Sequence, residues 1–497
     1  MFCSLSGFAQ ISYEKRIEFA LDDGYGGEQI IEFGKSGFVM TSLRPKAKGN
    51  KDEWKYVLYD SDLKISKEQS VYLDKKFYKD ELYSDDERIY TLYKDRKGNY
   101  AIVTVDAATL KVTKVEGSVP KKSRISGMAI LGDYAFFKTS IKKDSFLFSV
   151  NWKTGKKKFI PVNIPRIHPK KVFLRNFQLM EETNEIFLYV KAQLDKTKHD
   201  IYIVRLNDKG EKGDIFNLTK NIDQNIIDIT ASKLSNGKYI FTGTYSKRYG
   251  GSSEGLYFCQ GQENKIDFIK FYKFLDLENF LSYLPEKRQK KIEKKKAKKE
   301  KKGKEFKFSY RIAPHNVIQL EDGYLFLGEA FYPTYRTETY YVTTTTASGA
   351  VMRTPQYRTV FAGYQYTHAI LSKFDKEGNL LWDEVFEMWS TSKPYYVKRF
   401  ISIAEQNQNA IKLAFTSYAQ IFTKAIDFDG KVLEDFESEE IKMNYEGDKS
   451  KWSTSSLNYW YDNYFIAYGR QKIKNKEDKK KVKKKRKVYF VSKIKYE

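Results

Sequence analysis

Residues 371–386, LSKFDKEGNLLWDEVF, read as two β-runs joined by a tight polar turn. Ile370–Phe374 and Leu380–Trp382 are the runs, and Asp375-Lys376-Glu377-Gly378 lies between them. An Asp side chain closes such a turn on backbone N–H groups, and Gly supplies positive φ. The same signal recurs at Tyr59-Asp60-Ser61-Asp62-Leu63, Asp106-Ala107-Ala108-Thr109-Leu110 and Asn151-Trp152-Lys153-Thr154-Gly155. It returns at Asn207-Asp208-Lys209-Gly210 and Asp427-Phe428-Asp429-Gly430. Upstream of several of these lies another hairpin, such as Ile30–Phe33, Gly34-Lys35-Ser36-Gly37 and Phe38–Leu43. Two hairpins make a four-stranded antiparallel sheet. The turns recur about every 40–55 residues where no insertion intervenes, which is the spacing of propeller blades.

Full units fall near 27–73, 77–118, 124–163, 171–217, 225–275, 311–388 and 396–437. The last, 454–497, shows three strands: around Ser453–Trp460, Tyr464–Tyr468 and Val488–Lys495. Its fourth strand is expected from Ile11–Ala20 at the other end of the chain, which would leave no open edge in the ring. The expected fold is all-β: one β-propeller domain over 11–497, with eight four-stranded blades closed by pairing of the N- and C-terminal strands. Seven blades is the alternative, because 438–470 is hard to divide. Two β-sandwiches would need a mid-chain linker, and only a lysine run is available. The composition agrees: 16% aromatic residues, with 38 Tyr and 35 Phe against ten Pro in 497 residues, favours strands.

The unit at 371–386 resembles blade repeats of exported propellers of the Bacteroidota. The resemblance is clearest in that one blade. It implies a propeller fold and export, and it says little about activity.

Two insertions interrupt the repeat. Residues 276–309 hold a lysine-rich stretch, and a helix is expected over roughly 276–302. Residues 332–368 are rich in Thr and Tyr and poor in acid, and are expected to project from one face as a long β-hairpin or loop. Tyr offers broad, stiff, amphipathic contact area suited to protein recognition. Tyr335, Tyr340, Tyr341, Arg353, Tyr357, Arg358, Tyr364 and Tyr366 are the candidate partner-binding residues.

The formal charge of +25 is concentrated. Residues 286–304 hold 12 basic and three acidic side chains, and residues 472–487 hold 11 and two, a net +9 in each run. Such runs are solvated segments with a capacity for polyanions, with Lys294, Lys295, Lys296, Lys483, Lys484 and Lys485 as candidates.

Residues 1–10, MFCSLSGFAQ, are uncharged, and Gly7-Phe8-Ala9 before Gln10 fits the small-residue pattern of a signal-peptidase site, so they read as a signal-peptide remnant. No run reaches the roughly 18 apolar residues of a membrane-spanning helix. Two cysteines exclude a disulfide framework, and Cys259, in a strand-like run, reads as a buried inert thiol. His168, His199, His315 and His368 are expected on different blades, and neither a metal site nor a cofactor is expected. No G-x-S-x-G motif and no Cys/His pairing in sequence marks a nucleophile. Val488–Tyr496 (VYFVSKIKY) resembles the end of a type 9 sorting domain, but the preceding domain pattern is missing and the segment reads as a blade strand.

These readings converge on a non-enzymatic protein-interaction subunit in the periplasm or at the periplasmic side of the outer membrane. Its expected partner is an outer-membrane protein or transport complex such as the type 9 secretion translocon. Membrane association would come through that partner, and nucleic acid is not an expected ligand because it conflicts with export. The alternatives are a glycan-binding or glycan-processing propeller and a polyanion binder acting through the lysine-rich loops.

Overall fold

The computed structural model describes residues 11–496 apart from 22–23, 121, 143, 196–197, 221, 248–250, 263–264, 307, 346, 391, 405–409, 476 and 478–482. The proposed signal-peptide remnant, with Cys3, lies outside the described residues.

Strand pairing gives eight antiparallel sheets. Blades 1 to 7 span residues 26–74, 78–118, 123–161, 172–217, 225–273, 311–387 and 402–440. Blade 8 combines Asp448–Tyr461, Tyr464–Asn475 and Lys485–Tyr496 with the N-terminal strand Ile11–Ala20. That strand runs antiparallel to the C-terminal one, from Ile11 opposite Tyr496 to Ala20 opposite Val488. The chain is therefore a β-propeller of eight blades whose ends share one sheet. Blade 6 departs slightly: its inner strand is broken into Arg311–Pro314 and Ile318–Gln319.

Eight apolar cores hold the ring, and each lies between two neighbouring blades. Ile31, Tyr56 and Leu58 of blade 1 meet Ile89 and Val103 of blade 2, and the pattern steps round to Trp460 and Tyr489 of blade 8 against Phe38 and Val57 of blade 1. Burying one such side chain contributes about 1.5–3 kcal/mol, so the inter-blade cores dominate the favourable side of folding. The middle strands are covered on both faces, and Tyr239–Ser246 is buried throughout. The outer strands face solvent, and Val432–Glu440 is mostly exposed. A strand sandwiched between two neighbours reads as a continuous apolar run, while a perimeter strand alternates or turns polar.

The turns that mark the repeat all join the third strand to the fourth. Asp60, Asn151, Asn207, Asp375 and Asp427 each accept backbone N–H groups across the turn. The glycines dock on the preceding blade. Gly430, at φ +90°, sits where a Cβ would lie 2.7 Å from the Trp382 ring, and the Trp382 indole donates to Phe428 O at 3.1 Å. Lys373, buried, reaches the same carbonyl at 2.7 Å and pairs with Asp322 at 2.6 Å.

Strand direction fixes two faces. The turns just described, with those between first and second strands, lie on one. The links between blades and the loops joining second to third strands lie on the other. Both insertions belong to this second face: the first lies in the link from blade 5 to blade 6, and the second in the extension of Gly323–Thr345 and Val351–Asp375, the second and third strands of blade 6.

Candidate functional site

The second and third strands of blade 6 run on past the sheet. Gly323–Thr345 pairs with Val351–Asp375, whereas the flanking strands stop at Arg311 opposite Phe331 and Glu387 opposite His368. Beyond these pairs a two-stranded ribbon continues to Thr345 and Val351, roughly 40 Å of strand at the usual rise per residue. Thr has high β-propensity, and paired Thr337 and Thr359 lie on one face of the ribbon.

The two faces of the ribbon differ. One carries Tyr335 opposite Phe361, Tyr357 opposite Thr339, and Tyr341 opposite Pro355, with Arg353 further out. Tyr335, Tyr341 and Tyr357 are 62%, 65% and 69% exposed. The other face carries Tyr340 and an Arg336–Glu338–Arg358 triad with N···O distances of 2.8 and 3.0 Å. Hydrogen bonds from Arg336 and then Arg358 hold the Glu338 carboxyl below its ordinary range. Arg358 also lies over the Tyr340 ring at 5.7 Å.

The base of the ribbon is braced by the link from blade 6 to blade 7. Tyr364 N donates to Pro394 O at 2.8 Å, and Gly363, at φ +97°, comes so close to Lys393 O that a Cβ would lie 2.3 Å from it. Phe361 meets Tyr395 edge to face at 5.7 Å. Tyr395, Tyr396 and Val397 are exposed and extend the aromatic surface of the ribbon toward the ring. This link lies outside both insertions, yet its Pro394-Tyr395-Tyr396 cluster is the same kind of sequence signal as the hairpin's tyrosines.

Two of the expected partner-binding residues play a different part. Tyr366 is fully buried against Phe331 and Phe400, and its hydroxyl accepts Lys398 N at 2.8 Å. It anchors the base because the ladder turns it into the core between blades 6 and 7. Tyr364 is half-buried between Phe331 and Phe361.

Nearby, Glu329 is wholly buried and accepts Phe400 N and Ile401 N at 2.8 and 2.9 Å, with His315 Nε2 at 2.8 Å. This carboxylate ties blade 6 to the entry of blade 7. A cavity of about 610 Å³ opens between the inner strands of blades 4 to 6 and residues 397–399. Arg175, Lys398 and Arg399 line it with Asp228. Burial lowers the affinity of Lys398 and Arg399 for their protons and raises that of Asp228. Arg175 is already engaged by the carbonyls of Ile226 and Ile227, both at 2.9 Å.

The lysine insertion is helical only over Glu286–Glu300, shorter than the expected 276–302. Pro285 precedes the helix with extended ψ, and residues 277–284 are instead drawn onto blade 6. There Asp383 accepts Glu278 N and Asn279 N at 2.7 and 2.9 Å. Lys294 and Lys295 are exposed, and Lys296 donates to Leu275 O at 3.1 Å. Lys483, Lys484 and Lys485 are exposed at the top of blade 8.

His315 and His368 share blade 6, against the expectation of separate blades, because the chain spends 311–387 on that one sheet. Among the described residues no three His, Cys, Asp or Glu side chains converge in a way that could hold a metal ion. Cys259 is buried, and burial pushes its thiol up, away from the reactive thiolate. No helix among the described residues is long and apolar enough to cross a membrane.

No family model matches the chain, and no curated protein matches it. Among solved structures it is similar to the polysaccharide lyase Uly1, at 8% identity and TM-score 0.38 over 84% of this chain and 89% of that one. It is also similar to the β-propeller domain of the Trilobed protease from Pyrococcus furiosus, at 9% identity and TM-score 0.35 over 80% and 93%. The β-propeller domain of Nup133 from Vanderwaltozyma polyspora aligns at 10% identity and TM-score 0.39 over 94% and 100%. Likeness at this level adds nothing to the fold already set by strand pairing.

Proposed function

We propose that the protein is a non-enzymatic interaction subunit whose docking element is the Tyr-rich ribbon of blade 6. The observation that carries this is the exposure of Tyr335, Tyr341 and Tyr357 on one face of a ribbon that runs on past the flanking strands of its blade. Exposed aromatics of this kind are poor surface residues unless a partner covers them. The ribbon's outer edges, beyond Phe331 and His368, also offer backbone groups for strand addition.

We further propose that it works at the periplasmic side of the outer membrane, as an accessory component of a protein-transport assembly of the type 9 secretion class. The resemblance of 371–386 to exported Bacteroidota propellers and the export-like pattern at 1–10 support that address. The test is affinity capture of the tagged protein from detergent-solubilised native membranes at moderate and high salt. Stoichiometric recovery of one outer-membrane barrel, abolished when 337–359 is replaced by a short turn, is the expected result. Recovery of the protein alone, with the intact ribbon, would overturn the reading.

A further inference from the structure

The cavity between the inner strands of blades 4 to 6 and residues 397–399 is walled by irregular backbone. The ladder of blade 4 shifts register at Arg175, and that of blade 5 at Ile227. The inner strand of blade 6 breaks after Pro314. All three residues line the cavity. Bulges re-aim side chains and gather next to binding sites. At about 610 Å³ the space falls in the range of small-molecule pockets.

The remaining wall is fixed by its own main chain. Glu329 accepts Phe400 N through both carboxylate oxygens, at 2.8 and 2.9 Å, and Ile401 N at 2.9 Å. Tyr366 Oη accepts Lys398 N at 2.8 Å. These bonds use backbone N–H groups, so the Arg399 side chain takes no part in them. Lys398 Nζ reaches Ser456 Oγ at 3.2 Å and lies 4.9 Å from the Phe400 ring centroid.

Charge in the cavity is unbalanced. Arg175, Lys398 and Arg399 line it with one carboxyl, Asp228. Arg175 is engaged by the Ile226 and Ile227 carbonyls. Arg399 is exposed in the cavity and makes no hydrogen bond or ion pair among the described residues. Burial weakens its hold on its proton, and the opposing charge, Glu329, is already occupied by His315 and the N–H groups of the link. Asp228 Oδ2 accepts Thr244 Oγ1 at 3.0 Å, and no ion pair joins this carboxyl to Arg399. A guanidinium fork and a carboxyl thus line one cavity without pairing. Asn176, also exposed there, adds an amide that both donates and accepts.

We infer that this cavity binds a small polyhydroxylated anion, a sugar acid or sugar phosphate, with its anionic group on Arg399 and its hydroxyls on Asp228 and Asn176. The planar fork of Arg takes carboxylate or phosphate oxygens in pairs. Lys398 and Arg175 add positive field, and enclosure strengthens it relative to open water. Burial raises the affinity of Asp228 for its proton, which eases its repulsion of the anion. An anion without hydroxyls would leave Asp228 and Asn176 unmatched, which disfavours it. This site does not require the protein partner proposed above.

The test is calorimetric titration of the full chain with D-glucuronate, D-glucose 6-phosphate and D-glucose, in about 0.15 M salt to screen the surface lysines. Glucuronate or glucose 6-phosphate is expected to bind at least about tenfold tighter than glucose, and the tighter of the two identifies the anionic group. Arg399→Ala is expected to weaken that binding at least about tenfold, with the melting temperature of the unliganded protein unchanged. Arg399→Lys, which keeps the charge and loses the fork, should fall between the two. Asp228→Ala should weaken binding as well, and Tyr357→Ala on the ribbon should leave it intact. Failure of both anions to bind would overturn the inference, as would glucose binding as tightly as they do. Binding that survives Arg399→Ala undiminished would also overturn it, and would place the anion on the lysine runs.

Discussion

The imidazole of His368 stacks on the Tyr283 ring, with centroids 3.8 Å apart and planes 16° from parallel. His368 comes from the third strand of blade 6 and Tyr283 from the segment leading into the lysine helix. Phe280 and Tyr310 close the cage edge-on at 5.5 and 5.3 Å, and Nδ1 is within 2.9 Å of Thr367 Oγ1. Nε2 is buried with no hydrogen-bond partner among the described residues, and burial pushes the imidazole pKa down to about 3. The folded state therefore holds this side chain neutral.

A pH dependence follows from that cage. An unfolded histidine binds its proton near pH 6.5, so between about 6.5 and 3 the unfolded state binds a proton that the folded state refuses. Stability is unaffected above that window and falls as pH drops through it, by up to about 1.4 kcal/mol per unit. His368→Phe keeps the stacking and removes the proton site. Urea unfolding at pH 7 and pH 5 is expected to show a loss for the unmodified protein that exceeds the loss for the variant by about 1–2 kcal/mol. Equal losses would mean that the imidazole is not held neutral.

The shared sheet of blade 8 predicts a second outcome. Removing 1–20 strips the outer strand from Lys485–Tyr496 and uncovers Ile17 and Phe19 contacts in the core between blades 8 and 1. The bared edge is a template for another chain. The truncated protein is expected to melt several degrees lower and to form dimers or larger species by light scattering, and adding a peptide spanning 11–20 should reverse part of both effects.

Much of this architecture is legible in the sequence because its punctuation is chemical. Asp375, Asp427 and Asn207 close turns with their own side chains, and Gly378, Gly430 and Gly210 follow at the positive-φ position. The upper part of blade 8 was not legible as strand. There the covered side carries Asp448, Asn475 and Arg486, polar residues satisfied by one another, so the apolar alternation that marks a strand is missing. The pairing of Lys449 with Lys474 is likewise invisible in sequence: Lys449 lies outside the run at 472–487, and only register brings the two opposite one another. The ribbon was legible from its Thr and Tyr content. Tyr366 was misjudged because residue type alone does not say which side of the sheet edge it falls on.

Gly430→Ala tests how tightly the marker turns dock. The new methyl would meet the Trp382 ring at 2.7 Å on a backbone at φ +90°. Left-handed backbone costs an L-residue about 1–2 kcal/mol, and overpacking typically about 1–3 more. A stability loss of about 2–4 kcal/mol is expected in urea unfolding. Gly349→Ala, at the ribbon tip with nothing within 4 Å, carries the backbone cost without the clash and should lose less.

The ribbon and its anchor should separate cleanly under mutation. Tyr366→Phe removes the acceptor of Lys398 N in a buried site and should cost about 1–3 kcal/mol, since the N–H is left without a partner. Tyr335→Ala and Tyr357→Ala remove exposed rings and should change stability by less than about 0.5 kcal/mol. If the ribbon is the docking element, the same two changes together should cut recovery of the membrane partner at least tenfold, about 1.4 kcal/mol or more, from side chains at the centre of the interface. Tyr366→Phe should leave partner recovery intact at temperatures well below its melting point. The opposite pattern, with capture lost on Tyr366→Phe and kept on Tyr335→Ala/Tyr357→Ala, would move the interface from the ribbon face to its base, where Tyr395, Tyr396 and Val397 stand exposed and Val397 lines the cavity of about 610 Å³.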